Sequence, residues 1–385
     1  MLKKSSKLIA ALVRFGSNAN RGLAESDVSL TCLNISAWAC VTSCSISAIE
    51  AVCCGKPVFC DKKSFASQKK VVYRVKNWSA YDQALVQRGS LTVWLSEEAL
   101  DSWGYAGPTQ RGAQFVYADL AIETALTFRK LFRLPLRQTE GFVQSLLGMM
   151  GLPLNAPDHT TLSRRQKGLA VNLPVHPSDR PRHLMVDSTG LKLYGEGEWK
   201  TRQHGWTKRR TWRKLHLGID ADTGEVVAQT LTQAATDDAS QVKPMLVQTP
   251  GEVARLYGDG AYDRWKVHYP LAYPPEQDTS IESVIPPRHD AQLRQAKRRY
   301  RHIEARNQRV QAIGRKGRKR WKRDSGYHRR SLAETGVFRF KIILGPKLQA
   351  RSWEGQQVEA RIGCSILNRM IHLGKLEAYK VEVNC

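Results

Sequence analysis

The run His183-Leu184-Met185-Val186 ends on Asp187, and the run Val253-Ala254-Arg255-Leu256-Tyr257 ends on Gly258-Asp259-Gly260. Each reads as a short, largely apolar strand with a carboxylate where it stops. Ligands of open α/β sheets gather outside strand ends, so acids placed there face a crevice. The glycines flanking Asp259 let backbone or a bulky ligand come close. Aspartate at a strand end is also a common turn former, and on this pair alone that plainer reading stays open.

Further strand signals surround these two runs. Trp212–Ile219 and Glu225–Thr232 flank Asp220-Ala221-Asp222-Thr223-Gly224, a hairpin signal. Asp238–Gln248 reads as a helix, with Pro244 inside it or at its entry, and Ile281–Ile285 as a strand closed by Pro286-Pro287. The order strand, strand, strand, helix, strand, helix, strand predicts an α/β layer with a mixed sheet. Upstream, helices are expected over Trp78–Arg88 and over Ser96–Trp103, where Ser96 is the N-cap. After the linker Gly107–Gly112 come three more, Asp119–Arg133, Leu136–Met150 and Asp158–Lys167. This trio resembles a helix-turn-helix, with Arg164 and Arg165 as candidate DNA contacts. The turn before the last helix is longer than usual, and an ordinary helical subdomain is the other reading. A final helix is expected over Val358–Leu373.

A chain of 385 residues with 42% hydrophobic content can bury a sizeable core. That excludes disorder throughout, and ordinary Gly and Cys usage excludes a collagen or a disulfide-stapled miniprotein. The balance of 60 Lys+Arg against 35 Asp+Glu, a net +25, points to a polyanionic partner. Residues Arg288–Arg330 concentrate it, with 17 Lys/Arg against 3 Asp/Glu. Arg315, Lys316, Arg318, Lys319 and Arg320 are its densest part and candidate phosphate contacts. Trp321 beside them either stacks on an unpaired base or packs locally. Six of the eight cysteines fall in the first 60 residues, without the His/Cys partner set of a zinc site, and read as free thiols in a reducing compartment. Neither Leu8–Val13 nor the Ser/Thr/Cys-rich Val28–Cys54 reads as a targeting or spanning segment, so no membrane is expected.

A third acid joins the two aspartates through Tyr327, Arg330, Glu334 and Lys341. Arg330 and Glu334 are i, i+4 on a helix, and Lys341 lies seven residues further, so the three share one face. By spacing alone this is equally an exposed helix with an Arg–Glu pair. The motifs themselves resemble a family. Val186-Asp187-Ser188-Thr189-Gly190-Leu191-Lys192-Leu193-Tyr194-Gly195 and Tyr257-Gly258-Asp259-Gly260-Ala261-Tyr262-Asp263 resemble the first and second aspartate motifs of bacterial insertion-sequence DDE transposases. Tyr327-x2-Arg330-x3-Glu334-x6-Lys341 matches the YREK signature around their catalytic glutamate. The likeness is to the insertion-sequence-five type, within the insertion-sequence-four superfamily. It runs from about Val71 to the C-terminus and takes in Leu91–Leu95 and Pro157–Thr161.

The resemblance implies an RNase H-like fold, with Asp187, Asp259 and Glu334 as catalytic metal ligands. It implies two Mg²⁺ ions, with Mn²⁺ as an alternative, and DNA contacts from Tyr327, Arg330 and Lys341. The implied activity is binding of terminal inverted repeats, cleavage at the element ends and joining of the 3′-OH to target DNA. The implied partners are double-stranded DNA and a second copy in a homodimeric synaptic complex, in a bacterial cytoplasm and at the nucleoid when bound. The alternative is a catalytically silent DNA-binding regulator derived from a decayed transposase. The expected organisation is a Cys/Ser-rich leader over 1–70, a helical DNA-binding region over 71–180, and a catalytic domain over 181–385 with a basic insertion at about 288–326. Every motif lies beyond Val71, so the leader is expected to be dispensable for the chemistry.

Overall fold

The computed structural model describes residues 70–109, 111–112, 114–193, 212–295 and 300–383. The expectations for residues 1–69, and for Tyr194 and Gly195 of the first motif, lie outside them. Two compact units divide the chain: residues 74–379, and a smaller one of which residues 70–73 and 380–383 are described. In chain order the elements are β1 (Lys70–Val75), α1 (Trp78–Gln87), α2 (Glu97–Asp101), α3 (Asp119–Phe132), α4 (Leu136–Met149) and α5 (His159–Arg165). Then come β2 (Arg182–Leu193), β3 (Trp212–Asp220), β4 (Val226–Gln233), α6 (Val242–Gln248), β5 (Val253–Tyr257), α7 (Trp265–Ala272) and β6 (Glu282–Val284). The last are α8 (Arg301–Lys316), α9 (Arg318–Asp324), α10 (Ser331–Arg339), β7 (Lys347–Leu348), α11 (Trp353–Leu373) and β8 (Ala378–Val383). Strands β1 and β8 pair in a two-stranded sheet of their own.

Local signals set many of these bounds. The Ser96 side chain caps α2 by accepting from the Ala99 N–H, and Asp158 caps α5 by accepting from the Thr160 and Thr161 N–H groups. Helix α3 stops where Arg133 turns left-handed at φ 56°.

The main sheet runs β4-β3-β2-β5-β6, with β7 added to the distal end of β2. Strand β2 is antiparallel to β3 and parallel to β5. With helices on both faces, this is the RNase H-like mixed α/β arrangement that the resemblance implied. Met185, Leu191, Leu215, Leu217 and Ile219 point to one face, into a core shared with Ile122 and Phe128 of α3, Leu147 of α4 and Leu162 of α5. The helical trio therefore packs into the same core as the sheet. Leu184 and Val186 point the other way, toward Val242 and Met245 of α6 and Val267 of α7.

One strand differs from its expected length. Asp187 does not end β2; it lies near the middle of a twelve-residue strand. Ser188-Thr189-Gly190 carry turn-like side chains, but the ladder with β3 continues through them to Lys192↔Trp212, and Thr189 and Leu191 are buried. On the other edge of β2 the ladder with β5 stops at Met185↔Tyr257, and β7 joins only at Lys192. Between these points no strand pairs with that edge among the described residues.

The basic insertion also folds. Gly317, at φ +80°, breaks it into α8 and α9. The Arg306 guanidinium is buried against both oxygens of Asp263, at 3.1 and 3.2 Å. Trp321 is only 7% exposed and belongs to the main core, so it packs locally and has no face to offer a base.

Helix α10 lies on β2 and β3. It comes close because Gly336 has no side chain: a Cβ there would stand 2.2 Å from Cδ1 of the buried Ile219. Gly336→Ala is therefore expected to cost about 1–3 kcal/mol by overpacking. On an Ile219→Val background, which removes Cδ1, the same change should be neutral or stabilising. A denaturant double-mutant cycle measures this, and additive effects would show that the contact does not set the height of the helix.

Candidate active site

The register of the parallel ladder brings the two aspartates together. Met185 pairs with Tyr257, so Asp187 stands two residues further along β2 and Asp259 two residues past the end of β5. Strand β5 leaves the sheet there and β2 does not, which opens a gap beside Asp187. Alternation puts the Asp187 side chain on the face of Met185, the face covered by α10. Glu334 lies in the first turn of α10, and Tyr327 and Arg330 lie in the 3₁₀ turn just before it.

Each acid has one oxygen engaged. Asp187 Oδ1 accepts from the Ser188 N–H at 2.9 Å, and Asp259 Oδ1 from the Ala261 N–H at 2.8 Å, capping the turn Gly260–Tyr262. Glu334 Oε1 is ion-paired with Arg330. The other carboxylate oxygens accept no hydrogen bond from a described residue and remain available to a ligand. The Arg330 guanidinium also lies 6.0 Å from the centre of the Tyr327 ring.

These groups feel one another. Burial pushes the Asp187 carboxyl above its ordinary value; the Ser188 N–H and Arg330 pull it down, and Asp259 and Glu334 push it up. Burial likewise raises the Tyr327 phenol, with Asp259 and Glu334 adding to the rise and Arg330 opposing it. Burial works against the charge on Arg330, but Tyr327, Glu334, Asp187 and Asp259 together raise its value above the ordinary one. Three acids, one arginine and one phenol thus form a single electrostatic cluster.

A buried phenol beneath the site, on the sheet face of Leu184 and Val186, also feels the acids. Tyr262 is 3% exposed, and its hydroxyl is buried without a partner. Burial raises its phenol strongly, and Asp238, Asp187 and Asp259 raise it further. Gly258 leaves room for this ring, which a Cβ there would meet at 3.2 Å. Spacing alone does not show that Tyr262 buries its ring in the core beneath the Asp259 turn.

Hard carboxylate oxygens suit a Mg²⁺-class ion, so the donor set fits the divalent metal that the resemblance implied. The ligand atoms of the three acids are not all within 4.8 Å of one another, so they do not close on a single ion.

The remaining candidates lie in varied settings. Lys341 falls in a widened π turn, Phe340–Leu344, and is not among the leading charges acting on Asp187, Tyr327 or Arg330. Arg165 is engaged within the chain: its guanidinium pairs with Asp119 at 2.5 Å, donates to the Tyr117 carbonyl and lies over the Phe115 ring at 3.8 Å. Arg164 is exposed. Arg318 donates to the Pro287 and Arg288 carbonyls and so anchors α9. Lys316 and Arg320 lie 3.7 and 3.8 Å from Asp324. Arg315 and Lys319 are exposed.

Two family models, each described as a transposase DDE domain, match the chain over residues 86–196 and 178–369. The second spans Asp187, Asp259 and Glu334. No solved structure matches the chain significantly.

The raised Asp187 value has a consequence for stability. A carboxyl raised by folding favours the native state while protonated, and that advantage is lost as pH rises through the folded value. Above that value the ionised carboxylate works against the fold. Asp187→Asn is therefore expected to melt no lower than the parent at pH 7. The difference should close below about pH 4, the ordinary carboxylate range. A variant melting well below the parent at pH 7 would show that Asp187 supports the fold.

Proposed function

Because this chain belongs to the DDE transposases, we propose that it binds the terminal inverted repeats of an insertion sequence, cleaves the DNA there and joins the freed 3′-OH to target DNA. The observation that carries this reading is the convergence of Asp187, Asp259 and Glu334, from three separate elements, beside the unpaired edge of β2 and a folded basic insertion. The Tyr327–Arg330–Glu334–Lys341 spacing supports placement with the insertion-sequence-five type.

Asp187, Asp259 and Glu334 would hold two Mg²⁺ ions, or Mn²⁺ in their place, which would supply Lewis-acid activation of the attacking oxygen and stabilisation of the leaving one. In the first step water attacks phosphorus at the element end, the P–O3′ bond breaks, and a 3′-OH is released. In the second that 3′-OH attacks a target phosphodiester and another P–O bond breaks. Each step exchanges one P–O bond for another, so no external energy source is needed.

The chain's own groups supply position and charge. Arg330 neutralises the acids and directs its remaining donors at phosphate, and Tyr327, braced by Arg330, positions the terminal nucleotides. Lys341 and Arg164 contact phosphate. Along α8 and α9, Arg315 and Lys319 supply the main backbone contacts, with Lys316 and Arg320 added once DNA displaces their exposed pairing with Asp324. The active species is a homodimer holding two ends.

Asp187→Asn, Asp259→Asn and Glu334→Gln are each expected to abolish Mg²⁺-dependent cleavage of end DNA while leaving mobility-shift binding within a few-fold of the parent. The amide keeps the volume and removes the charge that holds an ion. Parent-rate cleavage by any one of them would overturn that residue's assignment.

Each phosphate contact contributes about −0.9 to the slope of log K against log[salt] on duplex DNA. Arg315→Ala/Lys319→Ala should therefore flatten the slope by roughly 1.8 on end and random DNA alike. An unchanged slope would place the electrostatic footprint elsewhere.

A further inference from the structure

A second group of metal-ligating side chains lies outside the Asp187 site. Glu225 leads into β4, and its side chain is 0% exposed. Two imidazoles converge on one of its oxygens: His176 Nδ1 and His372 Nε2 each stand 2.6 Å from Glu225 Oε1, with ring centres 3.9 Å apart. The donor atoms of all three residues lie within 4.8 Å of one another. The other carboxylate oxygen, Oε2, is buried and has no hydrogen-bond partner among the described residues.

As a hydrogen-bond cluster this arrangement is incomplete. Both imidazoles crowd onto one oxygen while the other stays buried and unsatisfied, which native structures avoid. A cation between the rings and the carboxylate would satisfy all four donor positions, two nitrogens and two oxygens. Two imidazoles and one carboxylate suit borderline transition metals and not Mg²⁺, which keeps to oxygen. Bond lengths near 2.0–2.2 Å in a tetrahedral site set neighbouring donor atoms roughly 3.3–3.6 Å apart, so the two 2.6 Å contacts open by roughly 0.7–1 Å on binding.

The three ligands come from distant segments, and a neighbouring side chain pre-arranges them. Asn368, one turn before His372 on α11, accepts from the Val226 N–H at 2.8 Å and donates to the Val226 and Pro174 carbonyls at 2.9 and 3.0 Å. It thereby ties α11 to the start of β4 and to the strap leading to His176. Arg182 holds the same strap, donating to the His176 carbonyl at 2.7 Å. A fixed backbone of this kind keeps ligands in place before the ion arrives.

We propose that His176, Glu225 and His372 bind one Zn²⁺-class ion that clamps α11, the β3–β4 turn and the strap before β2. This ion is distinct from the catalytic pair, and its loss loosens the fold without touching the acids. Coupling to stability follows by mass action, because the three segments are together only in the folded chain.

The test uses the full chain, freed of metal by chelation, with its thiols alkylated so that the cysteines cannot compete. Zn²⁺ titration by calorimetry, in an excess of Mg²⁺ that occupies the three acids, should give one equivalent bound. A hundredfold excess over the dissociation constant should raise the melting temperature by about 5 °C. His176→Gln and His372→Gln should each weaken Zn²⁺ binding at least 10-fold and remove the melting shift, while Asp187→Asn changes neither. His176 is 61% exposed, so its variant is expected to fold, and circular dichroism of the metal-free variants checks this. Binding that survives both His variants, or is lost in Asp187→Asn, would overturn the proposal, as would no binding by the parent.

Discussion

Three carboxylates held at one rim repel one another, and the site stands because rigid elements hold them in place. Asp187 is locked in mid-strand by the ladder with β3, opposite Leu217. Asp259 is fixed by the turn that its own carboxylate caps. Glu334 rides on a helix brought down to the sheet by the missing side chain of Gly336. None of the three can drift away to relieve the others, so the repulsion remains and helps to raise the Asp187 carboxyl. Among the described residues Arg330 is the opposing charge that acts on Asp187, and a divalent cation is the ligand that the imbalance favours.

The basic helices are oriented from the same loop. Asp263, four residues beyond Asp259, is the buried partner of Arg306 on α8 and also bonds His268 at 2.8 Å. Burial alone would raise the Asp263 carboxyl, but hydrogen bonds from His268 and Arg306, with the charge on Arg306, hold it well below the usual carboxylate range. It therefore stays charged, and a buried pair of this kind is costly to break from either side. The loop that positions Asp259 thus also positions the insertion, so the acids and the basic surface are built as one piece.

Much of this was legible in the sequence, for identifiable reasons. Strands β3 to β6 and helices α3 and α4 carry apolar patterning bounded by turn residues, α5 is marked by its Asp158 cap, and their bounds fall within a few residues of expectation. The course of β2 was hidden because Ser188-Thr189-Gly190 are turn-formers by type, and only pairing with β3 makes them strand. Helices α8 and α9 were hidden because arginine, which supplies much of both, marks neither a buried face nor a break. Their one deep apolar anchor, Trp321, read equally well as a base-stacking residue. The acids were recognisable from motif spacing, but the register that makes Asp187 and Asp259 neighbours is a property of the paired strands. Arg165 shows another limit: its pairing with Asp119 and its seat over the Phe115 ring appear only once folding brings those residues beside it.

Net charge, for the same reason, identifies the class of partner better than it identifies the contacts. Several arginines in the basic stretch are structural. Arg306 is buried on Asp263; Arg309 is held against His268, and burial lowers its value to about 10. Arg318 ties down backbone carbonyls, and Arg329 pairs with Asp222. The composition therefore overstates the phosphate-facing surface. The exposed end of the insertion is different in kind: Lys316, Arg320 and Arg323 all share the single carboxylate of Asp324, at 3.7 to 3.8 Å. Solvent-exposed pairs of that length are worth at most about 1 kcal/mol, and one acid cannot neutralise three cations. An arriving phosphate backbone meets a surface that is still positive and whose pairs yield easily. The arginines facing inward hold that surface in a fixed orientation to the acids.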